Sequence, residues 1–190
     1  MRKNICVYCG ASTGNNPAYT EAAQLLGQTI AQQGRRLIYG GGNKGLMGIL
    51  ANAVLEAGGE VTGVIPERLV EAETAHHGLT ELEIVPDMHI RKARMSELAD
   101  GFIALPGGIG TFEELFEVWT WSQIGYHTNP VGLLNINDFY TPMSSFLQHV
   151  VDEGFVRQSY LNTLLVSSSA TDLLAQFDQY QPHNLDRWAK

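Results

Sequence analysis

Positive charge is scarce in this sequence. Twelve lysines and arginines stand against twenty acids, giving a formal charge of -8 and a pI near 5.1. General affinity for nucleic acid or for an anionic membrane relies on a basic field, so the composition argues against both partners. Any phosphorylated ligand has to be met by a local site. Long apolar runs are also missing: no stretch approaches the roughly 20 residues of a membrane span. The start MRKNICVYCG passes from a short basic stretch directly into a strand-like run, and the expected location is the cytoplasm. Only two cysteines occur, Cys6 and Cys9, in a CxxC. If Asn4 to Tyr8 is a strand, their side chains point to opposite faces, which favours two buried thiols over a redox pair. Repeats, low-complexity tracts and linkers are absent as well.

At 190 residues with 44% hydrophobic content, the chain suits one domain spanning residues 1–190. Short apolar runs alternate with helical patterns. Strands are expected at Asn4 to Tyr8, Arg36 to Tyr39, Glu60 to Ile65, Glu81 to Val85, Gly101 to Leu105, Pro130 to Leu134 and Leu164 to Ser167. The first helix opens with Asn16 as cap and Pro17 at its first position. It presents Ala22, Leu25, Leu26 and Ile30 on one face and ends at Gly34. Helices are expected through about Ala57, from Asp87 or Met88, over Thr111 to Ile124, from about Thr141 to Glu153, and after Thr171, with Glu67 to Thr80 as a loop or short helix. This alternation implies right-handed crossovers and an α/β fold: a Rossmann-like three-layer αβα sandwich around a mostly parallel sheet. Ligands bind such sheets beyond the carboxyl ends of the strands, where the loops after Tyr8, Tyr39 and Leu105 should converge.

Those three loops are rich in small residues: CGASTG, GGGNKGLMG and PGGIGT. Glycine lets backbone amides approach a phosphate, and the helix that follows adds unpaired N–H groups and the positive end of its dipole. Gly40, Gly42 and Gly45 spell GxGxxG, but Glu60 begins the next strand instead of ending it, which weakens a dinucleotide reading. The Walker A pattern fails because Gly45 follows Lys44. For this loop, ligand contact and plain turn geometry are equally supported.

HIRKARM is the densest positive cluster, with Arg91 and Arg94 on one helix face by three-residue spacing, and it precedes the strand ending in PGGIGT. A solvated basic face and a return of Arg91 over the phosphate loop are both open. Beyond PGGIGT, Glu113 suits a first helical turn, where acids favour the dipole. Glu114 is turned about 100° from it and shares a face with Glu117. A carboxylate beside a phosphate site is repelled unless a cation intervenes or positive charge develops nearby. Cleavage of an N-glycosidic bond develops such charge at the sugar, where a carboxylate stabilises it and orients water.

PGGIGTFEE resembles the PGGxGTxxE motif of the LONELY GUY family, cytokinin-activating phosphoribohydrolases often labelled "lysine decarboxylase". VYCGAS, YGGGNKGLMG, Met88 to Lys92, WTWSQIGYH and PVGLLN are similar to the family in order and spacing. The resemblance implies a Rossmann-like homodimer that hydrolyses nucleoside 5'-monophosphates, N6-substituted or plain AMP, to free base and ribose 5-phosphate. By position it implies Arg91 and Glu114 as catalytic residues and Gly107, Gly108, Gly110 and Thr111 around the 5'-phosphate. Gly42, Ser12, Met88 and Lys92 would add further contacts. Ala11, Ile109 and Phe112 depart from common family residues, and Ile109 puts a base or ribose contact in doubt. No cofactor is expected: of four lysines, only Lys44 and Lys92 are available for a pyridoxal phosphate Schiff base, and Lys92 is better explained as a cation near phosphate. No metal is expected either, since His76 and His77 are adjacent instead of spaced as ligands. The alternative is a non-catalytic nucleotide or molybdenum-cofactor carrier on the same fold. Trp119, Trp121 and Phe116 form an aromatic cluster that gives some support to a homodimer.

Overall fold

The computed structural model describes residues 1–70 and 75–182. Seven strands form one sheet: β1 (Asn4–Tyr8), β2 (Arg36–Tyr39), β3 (Glu60–Pro66), β4 (Glu81–Val85), β5 (Gly101–Ala104), β6 (Val131–Leu134) and β7 (Leu164–Ser167). Their order is β4-β3-β2-β1-β5-β6-β7, and every strand pairing is parallel. The chain builds outward from β1 to β4, then returns to place β5 on the other side of β1. That reversal between β1 and β5 is where such sheets open a crevice.

Helices cover both faces. α1 (Pro17–Gln32), α2 (Gly45–Glu56) and α8 (Ala170–Gln179) pack with Ile5, Val7, Leu37 and Ile103 into one core. α4 (Met88–Leu98), α5 (Ile109–Gln123), α6 (Thr141–Asp152) and the short α7 (Gln158–Leu161) pack with Cys6, Tyr8, Ile38 and Phe102 into the other. The short α3 (Glu67–Val70) lies between β3 and β4. Strand periodicity explains the division, because alternate side chains enter opposite layers. Cys6 and Cys9 accordingly lie in different cores, both buried and reduced.

Local signals account for the ends of α1. The Asn16 side chain accepts from the Ala18 N–H at 3.0 Å, Pro17 opens the helix, and Gly34 follows with φ of 64°. Leu25 departs from the expected face: it is 57% exposed, and Ala23, Gly27 and Thr29 complete the buried stripe instead. Trp119 also departs from expectation. It is buried, stacks on Tyr160 at 4.9 Å and donates its indole N–H to Thr163 at 3.1 Å, so one domain satisfies it. Trp121 is partly buried against the same core, leaving only Phe116 of that cluster classed as exposed.

Candidate active site

The three loops meet. The Gly10 N–H donates to the Pro106 carbonyl at 3.1 Å, and the Leu46 N–H donates to the Gly10 carbonyl at 3.0 Å. The loop after β1 is thereby tied to the loops after β5 and β2, at the crevice set by strand order.

α5 begins two residues earlier than expected, at Ile109, with Gly108 as its cap and no capping side chain. Its first helical bond runs from the Phe112 N–H to the Gly108 carbonyl at 3.2 Å, so the amides of Ile109, Gly110 and Thr111 have no intrahelical partner. The earlier start corrects the reading of Glu113. It lies in the second turn, too far along for a helix-start acid, and its carboxylate holds Lys92. Ile109 points outward at 82% exposure.

The glycines of this loop divide by cause. At Gly107 an added Cβ would stand 2.1 Å from the buried Thr111 hydroxyl, so internal packing demands glycine. At Gly108 and Gly110 it would meet nothing within 4 Å, and neither φ is positive. Gly110 sits inside a helix, where glycine costs roughly 0.5–1 kcal/mol relative to alanine. Nothing in the packing of the described residues requires these two glycines; a ligand approaching the backbone would.

Arg91 is 4% exposed. Its Nε donates to the Val64 carbonyl at 3.0 Å and one terminal nitrogen to the Gly40 carbonyl at 2.8 Å, anchoring α4 to the ends of β3 and β2. The other terminal nitrogen lies 3.5 Å from the Met88 sulfur. Three consecutive carbonyls of the β2 loop are each held. Gly40 accepts from Arg91, Gly41 from the His76 N–H at 2.9 Å, and Gly42 from the Tyr39 hydroxyl at 3.2 Å. Gly42 is buried and bridged to Ala75, so its carbonyl faces inward.

Arg94 does not accompany Arg91. It forms a two-pronged pair with Glu83 of β4, at 2.8 and 3.0 Å. Lys92 is engaged as well: its Nζ lies 2.5 Å from Glu113 and 3.0 Å from Glu117. Burial alone would lower the Lys92 pKa, but bonds to Glu113 and Glu117 raise it above the ordinary lysine value. A Schiff-base lysine needs the opposite shift, so Lys92 does not fit a pyridoxal phosphate site.

Glu114 is half-buried, and its charge acts on Cys6, Tyr8 and Cys9 at the end of β1. Burial pushes the Cys6 thiol far up, offset in part by its bond to Tyr8; beyond these, Glu114 pushes the same way and Arg91 the other. Both charges therefore reach the same thiol. Glu114 also raises the buried Tyr8 and Cys9, behind the main effect of burial. The structure thus brings Arg91, Glu114 and the Gly107–Thr111 loop to one edge, with Ser12 exposed across the crevice. Met88 lines a mostly apolar cleft of about 450 Å³ with Pro66, Leu69 and Pro86, which Arg68 and Asp87 also line. Glu60, the residue of the dinucleotide reading, lies at the far end of β3 and pairs with Arg36 at 2.7 Å.

Residues 47–177 match the family model described as "Possible lysine decarboxylase". The chain is 49% identical over 174 residues to the cytokinin riboside 5'-monophosphate phosphoribohydrolase of Rhodococcoides fascians, covering 91% of this chain and 88% of that protein. The chain belongs to the LONELY GUY family. It is also 46% identical over 180 residues to the enzyme LOG7 of Arabidopsis thaliana, covering 95% of this chain and 83% of that one. Among solved structures, the molybdenum cofactor binding protein of Rippkaea orientalis superposes with a TM-score of 0.71 at 22% identity, over 94% of this chain and 98% of that one. At that identity the likeness is one of fold.

Proposed function

We propose that this protein is a nucleoside 5'-monophosphate phosphoribohydrolase, acting on N6-substituted adenosine monophosphates or AMP. The named activity of relatives at 44–49% identity, each covering at least 91% of this chain, supports this reading. The observation that carries it is the pairing of a glycine-lined helix N-terminus with one carboxylate, Glu114, and one buried guanidinium, Arg91, at the same strand ends.

The 5'-phosphate sits on the amides of Gly108 to Thr111, with Ser12 opposite. The base lies towards Met88 and the apolar cleft, which suits a substituent at N6. As the C1'–N9 bond breaks, its electron pair passes to the base and positive charge grows on the sugar. Glu114 stabilises that charge and takes a proton from the attacking water, whose oxygen bonds to C1'. The base takes up one proton, so one water is consumed. Arg91 positions this pair from its anchors on Gly40 and Val64. Lys92 reaches substrate only by leaving Glu113 and Glu117, so its role is to hold those acids on α5.

The protein acts in the cytoplasm as a homodimer. Supporting this, no helix of the described residues is long and apolar enough to cross a membrane, and Met88, Ile90, Ile109 and Phe116 are apolar and exposed on α4 and α5. Light scattering that finds a monomer at micromolar concentration would count against the dimer.

The test is release of adenine from AMP and of N6-isopentenyladenine from its N6-isopentenyl analogue, followed by chromatography, with free nucleosides as controls. Glu114→Gln and Arg91→Ala should keep the fold and lose release. Near-native release by both variants sinks the mechanism. Tight binding without turnover in the native protein would instead favour a carrier.

A further inference from the structure

The parts of the site run in order along the carboxyl edge of the sheet. The cleft of Pro66, Leu69, Pro86 and Met88 lies beyond β3 and β4, Arg91 is fixed to β3 and β2, the charge of Glu114 acts on Cys6 of β1, and the glycine loop follows β5. One strand further, the turn after β6 carries Phe139. A cavity of about 180 Å³ lies there, and Tyr19 and Phe139 line it together with Ser12, Thr13, Gly107 and Gly108. Among the described residues, none of those lining it is basic.

Phe139 is held firmly. Its ring meets Tyr19 edge-on at 5.7 Å and Tyr140 at 5.0 Å, and stacks on Phe112 at 6.3 Å. Tyr140 in turn donates its hydroxyl to the Leu105 carbonyl at 2.7 Å, directly before the phosphate loop. The two residues preceding Phe139, Asn137 and Asp138, both take positive φ, at 50° and 57°. Asn and Asp tolerate that region better than other side chains, yet two in succession are conformationally costly. Thr141 secures the turn by donating to Asp138 at 3.0 Å, and the Asn135 side chain accepts from the Tyr140 N–H at 2.7 Å. A strained turn kept in one shape fixes the ring that follows it.

We propose that Phe139 and Tyr19 form the wall that restricts this site to monophosphates. The inference rests on the ribosidase reading, in which the sugar lies towards Glu114. Whatever extends from the 5'-phosphate away from the sugar then enters the cavity. A second phosphoryl group would bring more negative charge against two aromatic rings, with no basic residue among the described lining to meet it, and desolvating an unpaired charge is costly. A monophosphate stops before the wall.

The test uses the full chain, native and with Phe139→Ala or Phe139→Leu, and compares adenine release from AMP and ADP. Calorimetry measures binding of the same two nucleotides to each protein in a Glu114→Gln background. The ADP-to-AMP ratio of kcat/KM should rise at least about tenfold in Phe139→Ala and less in Phe139→Leu, which keeps part of the bulk, with binding ratios moving the same way. Unchanged ratios in both variants, or a native protein that takes ADP as readily as AMP, overturn the proposal. If the native protein releases no base from any monophosphate, the ribosidase reading fails, and the binding ratios still decide whether the wall discriminates.

Discussion

Replacing Gly40 by alanine tests whether Arg91 works from where its bonds hold it. The new Cβ would stand 2.0 Å from an Arg91 terminal nitrogen, whereas ordinary contact begins at 3.4 Å. The difference, about 1.4 Å, is the distance the guanidinium has to withdraw if the backbone stays in place. That motion breaks its 2.8 Å bond to the Gly40 carbonyl and tilts the bond to Val64. A hydrogen bond from a charged donor is worth about 1.5–3 kcal/mol, and about 1 Å of misplacement in a site costs about a hundredfold in rate. We therefore expect kcat for adenine release from AMP to fall about 100-fold. The fold should survive with a lowered thermal midpoint by circular dichroism, because Gly40 does not occupy the left-handed region. Arg91→Ala should lose at least as much, and the double variant no more than Arg91→Ala, since both changes act through one group. Native-like turnover in Gly40→Ala, or additive losses in the double variant, would refute the reasoning.

Other outcomes follow from the ion pairs and histidines. Glu117 is more enclosed than Glu113, with side-chain exposures of 24% and 50%, and both hold Lys92. Glu117→Gln should cost about 1–3 kcal/mol by urea unfolding and Glu113→Gln under about 1 kcal/mol; equal costs would contradict the geometry. His76 and His127 each accept an N–H at Nδ1, from Gly78 and Asn129, while Nε2 faces the Asn52 side-chain oxygen and the Val118 carbonyl. This pattern requires the neutral ring, and burial holds both pKa values below the ordinary 6.5. The unfolded chain binds these protons more tightly, so their stabilisation is present above 6.5 and lost as pH falls through the folded values. The thermal midpoint should drop between about pH 7 and pH 5, and His127→Gln should flatten that slope.

The central strands were legible because they are buried on both faces and read as short apolar runs between turn signals, whereas the edge strands β4 and β7 are partly exposed. Asn16, Pro17 and Gly34 marked α1 for the same local reasons that cap it. Leu25 was misplaced because spacing defines a stripe but not its width, and the small Gly27 lets α2 approach where a larger residue would stand off. The start of α5 was missed because glycine caps a helix without a side-chain bond, so no capping residue announced it. Arg91 and Arg94 share a face in spacing, yet Glu83 on β4 takes one and the ends of β2 and β3 take the other. The Lys92 bridge joins residues more than twenty positions apart, and no local pattern encodes it. Phe139 was missed for a related reason. Its signal is only an Asn-Asp pair before aromatics, and its neighbours Tyr19 and Phe112 are distant in sequence.

The fold cannot distinguish a hydrolase from a carrier, because the crevice between β1 and β5 offers an anion site in either case. Glu114 can. A protein that only binds a phosphorylated ligand gains nothing from a carboxylate beside it: at about 5 Å and an effective dielectric of about 20, two unit anions repel by about 3 kcal/mol. The same carboxylate is useful where positive charge arises during the reaction, since it opposes the ground state and favours the transition state. Glu114→Gln should therefore bind AMP at least as tightly as the native protein while losing base release. Loss of binding together with turnover would mean that Glu114 holds the ligand or the fold, and the electrostatic argument for hydrolysis would fail.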